Sequence, residues 1–259
     1  MISYPNVKIN LGLHVLRRRP DGFHDLETLF VACGAFHDTL EITEAPGSLP
    51  DGLIDIQIEN CDWDPQKDLT AQAYRLLKAD YPELPPVRIR MVKGSPVGAG
   101  LGGGSADCAF ALRMLSDMFS LGLSDPQLAA YAARLGSDCA FFVYNSLMFA
   151  TGRGEVLSPF ELDLSPYEIR LAIPEGVHVS TKEAYGGIVP CSSRPGLQEI
   201  LRQPVSSWKD SLVNDFEATV FAVHPEIAQL KAEMYRQGAV YAAMSGSGSA
   251  VFGLFRKQT

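Results

Sequence analysis

Apolar and polar residues alternate from Val7 to Val15. Val7, Ile9, Leu11, Leu13 and Val15 fall on one side, and Lys8, Asn10, Gly12 and His14 on the other. A period of two is that of a half-buried strand, so Lys8 and Asn10 project the same way, about 7 Å apart. Further strands are predicted at 27–33, 39–44, 53–59 and 87–92, the last alternating Val87, Ile89 and Met91 with Arg88 and Arg90. The period becomes helical at 68–79, which Asp68 opens as N-cap and the Pro82 region ends. A helix over 104–119 carries Ala106, Ala109, Phe110, Leu112, Leu115 and Phe119 at helical spacing. Another, 125–135, has Ser124 and Gln127 in capping-box spacing, Pro126 in its first turn and Gly136 at its end. Strands follow at 143–150 and 168–174, then a helix at 225–237 from Pro225 to the Gly238 stop. Two short strands, 239–244 and 249–255, close the chain around Ser-Gly-Ser-Gly-Ser.

Strands and helices interleave without the regular alternation of a doubly wound sheet, which predicts an α+β fold. The pattern breaks at 152–166, where Gly152-Arg-Gly-Glu155 precedes Pro159 and Pro166. We place a domain boundary there, giving an N-terminal domain 1–152 and a smaller C-terminal domain 153–259. Hydrophobic residues make up 46% and charged residues 20%, a globular composition that excludes intrinsic disorder.

The formal charge of −8 is the wrong sign for a nucleic-acid binder, although local amides and a few cations can still hold a small anion. Arg17, Arg18 and Arg19 form the one concentrated basic stretch, read either as a solvated turn between strands or as a grip on substrate phosphates. The five cysteines are scattered with no C-x-x-C pair, which predicts neither a disulfide framework nor a zinc site. With no apolar run long enough to span a bilayer and no leader-like start, we expect a cytoplasmic protein without a membrane partner.

The densest chemical signal is Pro96-Val97-Gly98-Ala99-Gly100-Leu101-Gly102-Gly103-Gly104-Ser105, followed by Ala106, with five glycines between a strand and a helix. Glycine at that density costs backbone entropy and suits a segment whose main chain must itself be exposed. Consecutive N–H groups without Cβ atoms can curl around an anion, and the unpaired amides of the following helix add the positive end of its dipole. Ser105 adds a hydroxyl at the helix mouth, in reach of a phosphate oxygen or its metal. Three familiar phosphate loops fail here. A dinucleotide fold wants its first glycine directly after a first strand; a P-loop ends in Gly-Lys-Ser/Thr; a protein-kinase loop lies in a hairpin and is followed by His-Arg-Asp and Asp-Phe-Gly.

The loop resembles the second motif of the GHMP kinases. The likeness extends to Lys8-Ile-Asn-Leu11, Arg19-Pro-Asp-Gly-Phe-His-Asp25, Leu135-Gly-Ser-Asp138, Gly152-Arg-Gly-Glu155 and Ser245-Gly-Ser-Gly-Ser249, in the family's order and over nearly the whole chain. It implies the two-domain GHMP fold, with an N-terminal nucleotide-binding domain, and an ATP-dependent kinase that uses Mg2+. The Asp-Gly-Phe-His and Gly-Arg-Gly-Glu strings resemble one branch, whose small-molecule acceptor is 4-diphosphocytidyl-2-C-methyl-D-erythritol, phosphorylated on its 2-hydroxyl. Other expectations left open are a homoserine or mevalonate type of GHMP kinase and a non-catalytic nucleotide-binding protein.

By this resemblance Asp138 is the catalytic base and Lys8 its partner. A carboxylate ionised at neutral pH can take the hydroxyl proton, and an ammonium beside it offsets charge on the moving phosphoryl group. The likeness places Lys93 beside the adenine pocket and Pro96 to Ala106 around the ATP phosphates. Asn10 falls near the reacting end of the substrate, Phe23 and His24 at the cytosine, Tyr185 on the base's other face and Thr181 beside it. Asp68 stands where relatives show asparagine, and an aspartate has no N–H to offer adenine. No metal-ligand cluster is legible, which leaves the ion mainly to ATP, and the chain is expected as a monomer or weak homodimer.

Overall fold

The computed structural model describes residues 1–45, 49 and 53–257. In chain order its strands are β1 (Ile2–Ser3), β2 (Asn6–Arg18), β3 (His24–His37), β4 (Thr39–Glu44), β5 (Ile54–Glu59) and β6 (Val87–Val92), with helix α1 (Leu69–Asp80) between the last two. Next come α2 (Gly103–Met118), α3 (Asp125–Ala133) and α4 (Cys139–Tyr144), then β7 (Met148–Thr151), β8 (Val156–Pro159) and β9 (Tyr167–Ala172). The chain continues through α5 (Thr181–Gly186), α6 (Leu197–Leu201), α7 (Phe216–Val223) and α8 (Pro225–Arg236) to the hairpin β10 (Tyr241–Met244) and β11 (Val251–Arg256). Contacts group these elements into two compact units, neither of them a continuous stretch. One comprises Met1–Val7, Phe36–Val97 and Gly102–Asn145; the other comprises Lys8–Ala35, Gly98–Leu101 and Ser146–Thr259.

In the first unit, the sheet runs β1-β4-β6-β5. β4 pairs antiparallel with β6, whereas β5 pairs with it in parallel. A parallel pair needs a crossover, and α1 supplies it. Ile42, Ile89 and Ile56 lie in register across the sheet and are buried. On the other face Arg88 and Arg90 both hold Asp55, at 2.8 and 2.9 Å. Asp68 caps α1 as the sequence predicts, its carboxylate accepting from the Thr70 N–H at 2.8 Å. In α3 the Gln127 side chain accepts from the Ser124 N–H at 2.9 Å, which completes the predicted capping box. α2 is the central helix of this unit, packing on α1, α3 and α4.

The second unit holds a sheet ordered β2-β3-β7-β8 and a three-stranded sheet ordered β10-β11-β9. Its apolar cluster draws Leu13 and Val15 from β2, Phe216 and Val220 from α7, Ile227 and Met234 from α8, and Met244 and Val251 from the hairpin. The apolar set of β2 is therefore buried, as its alternation requires, yet Lys8, Asn10 and His14 are buried as well.

One predicted element is corrected, and three helices are added. The strand expected over 143–150 begins only at Met148; Val143 and Tyr144 finish α4, and Asn145 ends that helix in the left-handed region at φ 48°. Its β-branched and aromatic residues suit a strand, but burial of Phe141, Phe142 and Val143 favours the helix. α5, α6 and α7 were not predicted. Six of the eight residues of α7 are apolar, so it shows no polar face from which a helical period could be read.

His14 is fully buried, and neither ring nitrogen has a hydrogen-bond partner among the described residues. Arg194 lies close by, gripping Asp215, which in turn accepts from the Val15 N–H at 2.7 Å. Burial, with help from the Arg194 charge and against that of Asp215, lowers the His14 pKa from 6.5 to about 4. The folded protein thus binds fewer protons here than the unfolded chain between those two values, and stability rises with pH across that window. We expect stability to fall as pH drops from 6.5 towards 4 by on the order of 2–3 kcal/mol from this group. Urea midpoints followed by circular dichroism should flatten in that range for His14→Gln; an equal slope in variant and wild type would assign the effect elsewhere.

Candidate active site

The glycine loop leaves the end of β6 and opens into α2. Its burial alternates: Ala99, Leu101 and Gly103 are buried while Gly98 and Gly104 are exposed. The buried residues anchor the segment and the exposed ones present bare backbone; a Cβ placed on Gly98 or Gly104 would meet nothing within 4 Å. Gly102 is the N-cap of α2 in the left-handed region, φ 73°, and its carbonyl accepts from the Ala106 N–H at 2.9 Å. The amides of Gly103, Gly104 and Ser105 form the first turn, where no intrahelical acceptor exists, so they suit an anion.

Within the second unit, residues 98–101 are knitted to two other segments. The Lys8 N–H donates to the Leu101 carbonyl at 2.9 Å and the Ala250 N–H to the Ala99 carbonyl at 3.1 Å. The Gly100 carbonyl accepts from Lys8 Nζ at 3.0 Å and from Ser245 Oγ at 3.2 Å. Lys8 is 3% exposed, donates also to Asn10 Oδ1, and sits 5.2 Å from the centre of the Phe30 ring. Asn10 Nδ2 donates to Thr28 Oγ1 at 3.0 Å, and that hydroxyl donates to the Gly12 carbonyl at 2.6 Å. The structure therefore brings Lys8, Asn10, Gly100 and the Ser245–Ser249 turn into one hydrogen-bonded group. The turn itself is held from beneath by Asn214, whose Nδ2 donates to the carbonyls of Met244 and Gly246, each at 2.8 Å.

In the first unit Asp138 precedes α4, half-buried, with no side-chain capping bond to that helix. Lys93 is 6% exposed and turned inward. Its ammonium donates to Asp107 Oδ2 at 2.6 Å and to Asp38. Asp38 further accepts from the N–H groups of Gly94 and Ser95 and from Ser95 Oγ, all at 2.7 Å. Burial works to raise the Asp38 carboxyl, but the Lys93 and Ser95 donors outweigh it and hold it below the usual range. Asp107 has fewer donors; burial raises it, only partly opposed by Lys93, to about 8. The two acids thus differ: its donors favour the ionised form of Asp38, whereas burial pushes Asp107 towards its neutral form. Asp68 has its carboxylate committed to Thr70 and, at 3.0 Å, to the Trp63 indole N–H.

Of the expected base-binding residues, His24 and Tyr185 stack directly on one another, ring centres 4.7 Å apart and 20° from parallel. Burial and the charge of Arg18 lower the His24 pKa. Phe23 is exposed in the turn after β2 with the Arg153 guanidinium 4.9 Å from its ring centre, and Thr181 is exposed at the start of α5. Arg17 and Arg19 bind Asp25 at the same turn. Asp38, Asp107 and Asn214 escaped the sequence reading. Asp107 left one legible signal, a single acid on the apolar side of the helix beginning at Gly103.

Residues 68–146 match the GHMP kinases N terminal domain, and residues 197–259 the GHMP kinases C terminal domain. A 4-diphosphocytidyl-2-C-methyl-D-erythritol kinase of Bacteroides thetaiotaomicron is 47% identical over 258 residues, covering 100% of this chain and 93% of that protein. A crystal structure of 4-(cytidine 5'-diphospho)-2C-methyl-D-erythritol kinase superposes with a TM-score of 0.81 at 31% identity, covering 98% of this chain and 90% of the other. The mevalonate kinase of Methanococcus jannaschii shares the fold at 12% identity, with a TM-score of 0.71 over 99% of this chain and 90% of its own.

Gly100 has φ 77°, and a Cβ there would lie 2.2 Å from the Ser245 carbonyl oxygen, a backbone atom with little room to move. Gly100→Ala should therefore cost about 2 kcal/mol or more in chemical denaturation. Gly104→Ala, in open space within a helix, should stay within about 1 kcal/mol of wild type or gain stability. Equal stability of the two variants would show that the loop's close approach to the Ser245 turn imposes no constraint.

Proposed function

Because the chain belongs to the GHMP kinase family, among its 4-diphosphocytidyl-2-C-methyl-D-erythritol kinases, we infer that it transfers the γ-phosphoryl group of ATP to the 2-hydroxyl of 4-diphosphocytidyl-2-C-methyl-D-erythritol, a step of non-mevalonate isoprenoid synthesis. The observation that carries this reading is the full-length likeness to relatives of that name, with the exposed glycine backbone opening into α2 as its chemical counterpart. The acceptor oxygen bonds to the γ-phosphorus, the bond to the β,γ-bridging oxygen breaks, and ADP leaves. Little covalent chemistry falls to the protein, so positioning and charge compensation dominate.

In this reading Asp138 takes the hydroxyl proton and Lys8 offsets the charge on the transferring phosphoryl oxygens. The burial of Lys8 against the Gly100 carbonyl ties a cation to the phosphate loop. Pro96 to Ala106 hold the phosphates, and Asn10 orients the acceptor end. Phe23, His24, Tyr185 and Thr181 receive the cytidyl end, where ring stacking contributes about 1–3 kcal/mol per base by analogy with nucleic-acid binders.

In this reading Mg2+ comes to the site with ATP; among the described residues no group of three or more His, Cys, Asp or Glu is placed to hold a metal. Bound there, it would neutralise charge on the β- and γ-phosphate oxygens. No helix among the described residues is long and apolar enough to cross a membrane. The same reading makes the protein cytoplasmic, monomeric or weakly dimeric, and divides it near residue 152, between the two matched family domains.

A coupled ADP assay tests the assignment. Wild type should release ADP with the cytidyl substrate and not with mevalonate or homoserine; turnover with mevalonate alone would move the protein to another branch of the family. Asp138→Asn should lower kcat by about 10²–10⁴ with the KM for ATP little changed. Lys8→Met should lower kcat and also weaken ATP binding, because it removes a bond to the loop. If Asp138→Asn releases ADP as fast as wild type, the proton has another acceptor.

A further inference from the structure

The glycine loop needs a fixed distance between the strand that enters it and the helix that leaves it, and one buried ammonium spans that distance. Lys93 stands at the entry, directly after β6, and Asp107 stands one turn into α2 at the exit. Between them Asp38 gathers the N–H groups of Gly94 and Ser95, the Ser95 hydroxyl and the Lys93 ammonium. Ser95 in turn abuts the first residue of α2 so closely that a Cβ on Gly103 would lie 2.3 Å from its Oγ. Lys93, Asp38 and Asp107 are 6%, 0% and 1% exposed. Buried ionic groups of this kind are costly to desolvate and often contribute no more stability than apolar residues of the same volume. What they supply is direction, because hydrogen bonds specify geometry where apolar packing tolerates rearrangement.

We propose that Lys93, Asp38 and Asp107 form a clamp across the mouth of the phosphate loop, and that Lys93 and Asp107 are positioning residues that set where the Gly103, Gly104 and Ser105 amides point. Lys93 then serves ATP binding through the loop, with its ammonium spent on carboxylates instead of on the nucleotide. The proposal rests on the loop's holding the ATP phosphates. It separates two properties that ordinary core damage changes together: the grip on ATP should loosen while the site for the alcohol stays intact.

Steady-state kinetics on the full chain, with ATP and the cytidyl substrate each varied, test this beside thermal melts of the same proteins. Asp107→Leu should raise the KM for ATP about ten-fold or more and leave the KM for the alcohol within about two-fold. Asp107→Asn keeps the shape and an acceptor for Lys93, and should recover the ATP KM to within about three-fold of wild type. If Asp107→Leu does not fold, the double variant Lys93→Met/Asp107→Leu replaces it, leaving Asp38 to the Gly94 and Ser95 N–H groups and the Ser95 hydroxyl; its ATP KM should rise alike. A folded Asp107→Leu or double variant with a wild-type ATP KM, equal rises in both KM values, or failure of Asp107→Asn to rescue would each overturn the clamp. Wild-type protein that consumed no ATP would strike at the nucleotide reading itself, a result distinct from all of these.

Discussion

In the proposed reading main-chain amides hold a triphosphate, which can approach only where side chains are missing, and this requirement would govern the segment from Gly98 to Gly104. A run of glycine left to itself would be flexible and would bind nothing at a fixed geometry. Here the residues between the open positions supply the anchorage: Ala99 and Leu101 are buried, and their carbonyls accept from Ala250 and Lys8. The Gly100 carbonyl takes two further donors, Lys8 Nζ and Ser245 Oγ. The glycines give access, and their neighbours give order.

The electrostatics follow the same economy. A chain of formal charge −8 does not attract a polyanion by its overall field, so anion binding must come from groups placed at the site. Two lysines flank the loop in sequence or in space, and both are buried. Lys93 is matched to carboxylates, while Lys8 meets a side-chain carbonyl, a main-chain carbonyl and an aromatic face. The carbonyl dipoles and the ring quadrupole help to hold the Lys8 ammonium in place. A carboxylate partner neutralises the charge, which suits Lys93 to holding structure.

The supporting layer is polar as well. Asn214 carries the Ser245 turn, which carries Gly100; Thr28 carries Asn10, which carries the Lys8 ammonium. Each of these side chains is buried and spends its hydrogen bonds on backbone or on another member of the set. Satisfied networks of this kind specify one arrangement, because breaking any link leaves a desolvated donor or acceptor. His14 is the exception in the same strand, buried with both ring nitrogens unmatched among the described residues, and it shifts its pKa instead.

The sequence by itself determined what depends on neighbours along the chain. The alternation around Lys8 and Asn10, the strands at Thr39–Glu44 and Val87–Val92, the caps at Asp68 and Ser124, and the bare loop before α2 all follow from local sterics and local hydrogen bonding. The end of α4 was decided by burial, which overrode residues that locally suit a strand, and α7 shows no polar face from which its period could be read. The partners of the charged groups also came only with the tertiary structure: Lys93 meets Asp38 across 55 residues and Asp107 across 14, and Asp215 reaches Val15 across 200. Periodicity records which side of an element is buried. It carries no information about which other element lies opposite, and a buried charge takes its role from the group it faces.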